Sequence, residues 1–254
     1  MPVVRTEGFV LRAQPLGEAD KIVTFLTREE GKIRGVARSA RKSRRRFGCS
    51  LEPWSRVSLT LFEKEGMELA RIDGCDLLES AYRLQEDLET AYLLAYLAEV
   101  ADLFTRERQS EPHYFRLLGS VLAALKGGLP IQVAVRYFEV WTLRLHGLLP
   151  DLARCGACGS SLGKAGATFQ GAGGQILCSR CLPRSGPADF PLDGAGLEVL
   201  KTLLRHHPAD LAGRRLDAAL LSALGRVTGA ALTAFAEAPF RTSRFLAVAE
   251  GASS

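Results

Sequence analysis

Four cysteines fall in two Cys-x-x-Cys pairs, Cys155 with Cys158 and Cys178 with Cys181, and 19 residues separate the pairs. Each pair can turn two thiolates to one side of a tight knuckle, and two knuckles together complete a tetrahedron. Soft thiolates favour zinc, and four protein ligands leave no coordination position for water or substrate. The expected cofactor is therefore one structural zinc ion. A thioredoxin-like dithiol is the competing chemistry, but that motif comes singly and at a strand-to-helix junction. The surrounding segment, 151–188, holds eight glycines. With so few apolar residues, metal binding would supply folding energy that a core cannot. Cys49 and Cys75 stand alone, and a disulfide framework does not suit a cytosolic chain of this size.

The second pattern is electrostatic. Between Gly31 and Leu51 stand eight basic residues, Lys32, Arg34, Arg38, Arg41, Lys42, Arg44, Arg45 and Arg46, and no acidic one. Subtracting these eight from the net charge of +5 leaves −3 for the rest of the chain. A cationic stripe on an otherwise slightly acidic protein is the footprint of a polyanion site, because Lys and Arg release the counterions condensed on phosphates. The alternative is a solvated basic loop, and register separates the two. If Lys32 to Arg38 is a strand, Lys32, Arg34 and Arg38 project from one face while Ile33, Gly35 and Ala37 take the other. Arg41 to Arg46 then extend the stripe, with guanidinium groups that can fork onto phosphates. Phe47 and Trp54 could stack on bases, although such residues are more often core anchors.

No catalytic constellation accompanies these patterns. His113, His146, His206 and His207 pair with no nucleophile or carboxylate at a recognisable spacing, and no phosphate-cradling or nucleophile-elbow motif occurs. The reading is a protein that is not an enzyme and takes no small-molecule substrate. No run approaches the roughly 18 apolar residues of a membrane span. Arg5 and Glu7 occupy the place where a signal peptide needs an apolar stretch, so a cytoplasmic location without membrane association is expected.

The elements that must position these groups follow from periodicity. Val3 to Arg12, Lys21 to Arg28, Lys32 to Arg38, Val57 to Leu61 and Met67 to Asp73 read as strands, with turns at Glu29-Glu30-Gly31 and Lys64-Glu65-Gly66. Five short strands suffice for a small barrel of the OB type, with an SH3-like barrel as the competing fold. From about Ser80 the period becomes helical: Leu84, Leu88, Tyr92 and Ala95 form one stripe, and Leu93, Leu97, Val100 and Phe104 a second, which predicts a buried helix. Pro112 and Pro130 open further helices, Gly127-Gly128 and Gly147 close them, and Asp193 caps a helix running to about His206. Another helix follows from Arg215 to Ala236. The expected fold is α+β: an OB-fold β-barrel over 1–79, an all-helical domain over 80–150 and 189–254, and a four-cysteine zinc module inserted at 151–188.

In this order, particular stretches resemble the RecO family of bacterial recombination mediators. They are Glu7-Gly8-Phe9-Val10-Leu11-Arg12, Gly17-Glu18-Ala19-Asp20-Lys21-Ile22-Val23-Thr24, Gly31-Lys32-Ile33-Arg34-Gly35-Val36-Ala37-Arg38, Leu51-Glu52-Pro53-Trp54, the two cysteine pairs, and Phe240-Arg241-Thr242-Ser243-Arg244. Ser39 departs from the pattern, standing where the family's Ala-Arg stretch is usually followed by glycine. The resemblance implies an N-terminal OB-fold, a helical domain and a zinc module. It also implies a nucleoid-associated protein of DNA repair that binds single- and double-stranded DNA and anneals complementary strands. With RecR, such a protein helps load RecA onto strands coated by single-strand-binding protein.

Annealing under a charge-neutralised surface needs no catalytic side chain. Two rivals remain. A zinc-dependent nucleic-acid hydrolase or deaminase would need an open metal position and a placed acid or base. A zinc-stabilised adaptor would use the basic face to dock an acidic protein partner rather than DNA.

Overall fold

Alternation of apolar and polar residues in the first part of the chain becomes five strands in the computed structural model. The structure describes residues 3–42, 44–62, 66, 68–163, 166–170, 174–182, 189–237 and 239–242. The chain divides after Arg116 into two compact units.

In the first unit, β1 (Val3–Leu16), β2 (Asp20–Thr27), β3 (Gly31–Ala37), β4 (Arg56–Phe62) and β5 (Ala70–Glu79) close a barrel in the order β1-β2-β3-β5-β4. The β3–β5 contact is parallel and short, Gly35 with Ala70 and Val36 with Arg71; all other neighbours are antiparallel. This five-stranded closed barrel has the OB arrangement. Its core collects the inward residues: Val10, Val23, Phe25, Ile33, Leu59 and Ile72 are fully buried. A four-residue helix, α1 (Arg44–Phe47), and the turn after it carry Phe47 and Leu51 into the same core.

Two strands outrun the expectation. β1 continues past Arg12 because a register shift between Val10 and Arg12 absorbs an extra residue and lets pairing with β2 run on to Leu16. β5 starts later and continues through Gly74 to Glu79, following β4 across a shift between Thr60 and Leu61. Of the expected Lys64-Glu65-Gly66 turn, Lys64 and Glu65 lie outside the described residues.

The helix α2 (Leu88–Phe104) is buried along Leu93, Leu94, Tyr96, Leu97, Val100 and Ala101, which includes the second expected stripe, whereas the first is not buried: Leu84 lies in a separate 3-10 turn, Leu88 is 64% exposed and Ala95 faces solvent. Asp87 caps it, accepting from the Thr90 amide at 2.8 Å. That bond and one from the Thr90 hydroxyl hold the Asp87 carboxyl below its ordinary pKa. Trp54 joins α2 to the barrel: its ring is buried and its indole Nε1 donates to the Leu94 carbonyl at 3.0 Å. Helix α3 (Pro112–Lys126) begins at the expected proline. Phe115 in its first turn packs against Phe9, with ring centroids 4.9 Å apart and the planes tilted by 39°.

In the second unit, α4 (Ile131–Leu145), α5 (Gly194–Arg205) and α6 (Ala218–Ala236) pack together. Pro130, Asp193 and Asp217 stand at their N-caps. His206 closes α5 and His207 caps the turn that follows, which makes both ordinary helix-end residues. Inside lies an ionic contact that the sequence does not announce: Arg136 to Glu139 at 3.2 Å, with both side chains almost wholly buried, and the Thr228 hydroxyl donating to Glu139 at 2.5 Å. Helix α6 is long and apolar enough by composition to cross a bilayer. Here it carries Arg226 midway and buries Leu221, Leu224, Val227 and Leu232 against its neighbours. A three-stranded sheet, β7-β6-β8, formed by β6 (Ala167–Gln170), β7 (Ile176–Leu177) and β8 (Asp189–Leu192), accompanies the cysteine segment. Sequence pattern did not foresee it, because strands of two to four residues leave no measurable period.

Candidate metal centre and nucleic-acid face

The first knuckle is built by backbone. Cys155 donates its amide to the Ser160 carbonyl at 2.8 Å, its carbonyl receives the Gly159 amide at 2.9 Å, and Gly156 is tied to the Ile176 carbonyl at 2.8 Å. Gly159 has φ +70°, a value that costs glycine nothing and closes the turn just after Cys158. The second knuckle closes through the Cys181 amide on the Cys178 carbonyl at 3.0 Å. The four sulfurs of Cys155, Cys158, Cys178 and Cys181 come within 4.8 Å of one another, and Cys158 and Cys178 stand 3.8 Å apart. Tetrahedral zinc with bonds of about 2.3 Å requires sulfur–sulfur separations of about 3.8 Å, so the residues fit such an ion.

The electrostatics agree. Amides of Cys178 and Cys158 pointing at Cys155 lower its thiol to about 6, and the Ser160 hydroxyl and amide lower Cys158. Crowding by the sulfurs of Cys158 and Cys178 pushes Cys181 up to about 12. Four sulfurs this close cannot all ionise unaided, and a divalent cation is what allows it. None of the four forms a disulfide.

The basic segment divides into groups with different partners. β3 alternates as expected, with Ile33, Gly35 and Ala37 inward and Lys32, Arg34 and Val36 outward. However, the Lys32 ammonium does not stand free beside Arg34. It donates to the main-chain carbonyl of Asp102 at 2.5 Å and to its carboxylate at 3.0 Å, where it serves as a cation at the C-terminal end of α2. Arg34 lies 3.7 Å from Glu107. Arg41 donates to the Gly17 carbonyl at 2.5 Å, and Arg46 to the carbonyl and carboxylate of Asp73. Arg38 and Lys42 are exposed, and among the described residues neither has an acidic partner. The side chains of Arg44 and Arg45 lie outside the described residues.

Phe47 and Trp54 are core residues, 4% and 2% exposed, so neither ring offers a stacking platform. Ser39 takes the left-handed conformation, φ +58°, which suits glycine better than serine. Its amide donates to Asp20 at 2.8 Å, and the Arg41 amide donates to the Ala19 carbonyl at 2.9 Å, which anchors the loop carrying Arg38, Arg41 and Lys42 on the β1–β2 turn. Arg12 was missed in the sequence. The barrel register sets it across from Thr24, and Thr24 across from Arg34, so an exposed first-strand cation joins the row. The shift at Val10/Arg12 hid this, since a fixed period of two would not place Arg12 on that face.

Two family models cover most of the chain: Recombination protein O N terminal over residues 1–81 and Recombination protein O C terminal over residues 85–244. The chain belongs to the RecO family. A DNA repair protein RecO from Anaeromyxobacter sp. (strain K) is 39% identical over 237 residues, 93% of this chain and 91% of its own length. One from Koribacter versatilis is 44% identical over 158 residues, 62% of this chain and 64% of the relative. One from Symbiobacterium thermophilum is 32% identical over 249 residues, 97% of each. RecO membership makes this a DNA repair protein.

Proposed function

We propose that this RecO protein is a recombination mediator without catalytic activity of its own. Its barrel binds the phosphates of single- and double-stranded DNA without sequence preference and brings complementary strands together. RecR is its partner in loading RecA onto strands covered by single-strand-binding protein. The carrying observation is the exposed cationic loop from Arg38 to Lys42, pinned to the barrel by backbone bonds of Ser39 and Arg41 rather than loose in solvent. A fixed array of cations neutralises phosphates at a lower ordering cost than a floppy one. Arg12 and Arg34 extend this face. Arg44, Arg45 and Arg46 continue it along the chain, and Lys32 serves instead to hold α2.

The four cysteines hold one zinc ion whose role is structural: all four positions are protein ligands, so the ion stabilises the two knuckles and the small sheet beside them.

The test is a titration of a labelled oligonucleotide by fluorescence anisotropy across a salt series, alongside strand annealing. Replacing Arg38, Arg41 and Lys42 together by glutamine should weaken binding alike for every sequence and flatten the slope of log affinity against log salt by about two, at roughly 0.7 per lost single-strand contact. Annealing should fall in parallel. A folded triple variant that binds bare oligonucleotide as before, but loses an acidic protein partner, would establish the adaptor reading instead. Metal-dependent turnover of DNA that disappears on mutation of a residue of this chain would establish an enzyme.

A further inference from the structure

The connection between α2 and α3 lies along β3 like a short extra strand. The Lys32 amide donates to the Arg106 carbonyl at 3.3 Å, the Arg108 amide donates to the Lys32 carbonyl at 3.0 Å, and Lys32 and Glu107 form a parallel bridge. Gly31 makes the approach possible. A β-carbon there would fall 1.8 Å from the Gln109 carbonyl oxygen, and its φ of +67° suits glycine. Lys32 fastens the start of this segment through Asp102. The segment thereby carries the Glu107 carboxylate to 3.7 Å from the Arg34 guanidinium, with the two side chains 44% and 40% exposed.

Two features set this contact apart from a chance surface pair. The backbone ladder fixes the main chain of Glu107 beside β3, so the carboxylate starts from a set position within reach of Arg34. In addition, Arg34 projects outward from β3 across from Thr24, which lies across from the exposed Arg12, so it belongs to the barrel face proposed above to meet nucleic acid. A carboxylate on a guanidinium mimics the charge and forked geometry of a phosphate.

We infer that Glu107, held between Arg106 and Arg108 on the strap 105–109, competes with nucleic-acid phosphate for Arg34, so that this one barrel cation is partly withheld from the strand. This rests on the reading of the barrel as the DNA-binding face. Removing the carboxylate uncovers a phosphate contact that the wild-type chain withholds.

The experiment compares the full-length wild type, Glu107→Gln, Arg34→Gln and the double variant, by anisotropy titration of a labelled oligothymidylate over a salt series. Circular dichroism checks each fold, and Glu107→Ser serves as a second charge-removing variant if the glutamine variant is unstable. Glu107→Gln should bind about threefold more tightly at low salt, with a slope steeper by about 0.7, and should give no gain when Arg34 is already glutamine. An unchanged affinity, or an equal gain in the Arg34→Gln background, overturns the strap, since the latter is only a general loss of negative charge. If the wild type binds no oligonucleotide, or if the Arg38, Arg41 and Lys42 replacements leave binding intact, the barrel-face reading itself fails, whatever Glu107 does.

Discussion

Replacing Lys32 by glutamine separates a cation that builds the fold from the cations proposed to meet DNA. The Lys32 side chain is 13% exposed and makes two charge-assisted bonds, to the Asp102 carbonyl at 2.5 Å and carboxylate at 3.0 Å. A hydrogen bond to a charged group contributes about 1.5–3 kcal/mol, and a cation at a helix C-terminus about 0.3–1 kcal/mol more. The loss is offset in part because the variant need not desolvate an ammonium, which leaves a net destabilisation of about 2 kcal/mol. With a urea m-value of about 1–2 kcal/mol/M, the unfolding midpoint should fall by about 1–2 M. The two units need not unfold together, so the readout must be local. Trp54 sits in the first unit and Trp141 in the second, and a Trp141→Phe background lets Trp54 fluorescence report the first unit alone. The salt slope for oligonucleotide should stay at the wild-type value, whereas Arg38→Gln or Lys42→Gln should flatten it by about 0.7 each with the midpoint unchanged. An unaltered midpoint together with a flattened slope for Lys32→Gln would refute the assignment and return Lys32 to the binding face.

Ser39→Gly should raise the stability of the first unit by about 0.5–1 kcal/mol, read as a higher urea midpoint, because it relieves a left-handed serine and leaves the Asp20 bond, which uses backbone, in place. Elemental analysis should find about one zinc per chain. Replacing Cys155 and Cys158 together by serine should abolish zinc binding and loosen the cysteine segment to proteolysis, while the barrel stays folded and still binds oligonucleotide. Glu7 has its carboxyl lowered by a hydrogen bond from Arg56 and by the charges of Arg56 and Arg28, against the opposing effect of burial. That stabilisation is present above the ordinary carboxylate pKa and is lost as pH falls through the lowered folded value. Glu7→Gln should therefore be less stable than wild type at neutral pH and converge with it on acidification, as measured by urea midpoints over a pH series.

The barrel was legible because its strands each carry enough residues to show a period of two, and because Gly31 marks a turn that needs positive φ. The helices were legible from their punctuation: Pro112, Asp193 and the Gly127-Gly128 pair stand where the chain starts or stops turning. What escaped was structure that depends on neighbours. The extension of β5 past Gly74 is drawn out by β4, and the small sheet by the knuckles rests on pairings across the cysteine segment. The cysteine quartet lay in plain view because a metal site fixes both residue type and spacing, so local sequence carries nearly all of its geometry.

Charge is the opposite case. A run of basic residues reports what a segment carries but not what already neutralises it, and neutralising groups can lie far away in sequence. Lys32 meets Asp102 across 70 positions, Arg46 meets Asp73 across 27, and Arg34 meets Glu107 on a loop whose place beside β3 depends on a glycine. Of the eight cations that look equivalent in the chain, the six whose side chains are described become distinct in the fold: a helix anchor, a guanidinium under a carboxylate, two held by main-chain or carboxylate oxygens, and an exposed pair, Arg38 and Lys42, on a pinned loop. The net charge of the segment is the same in both descriptions, but the number of phosphates it can neutralise is not. The salt slope counts phosphates rather than charges, and so it is the measurement that discriminates between them.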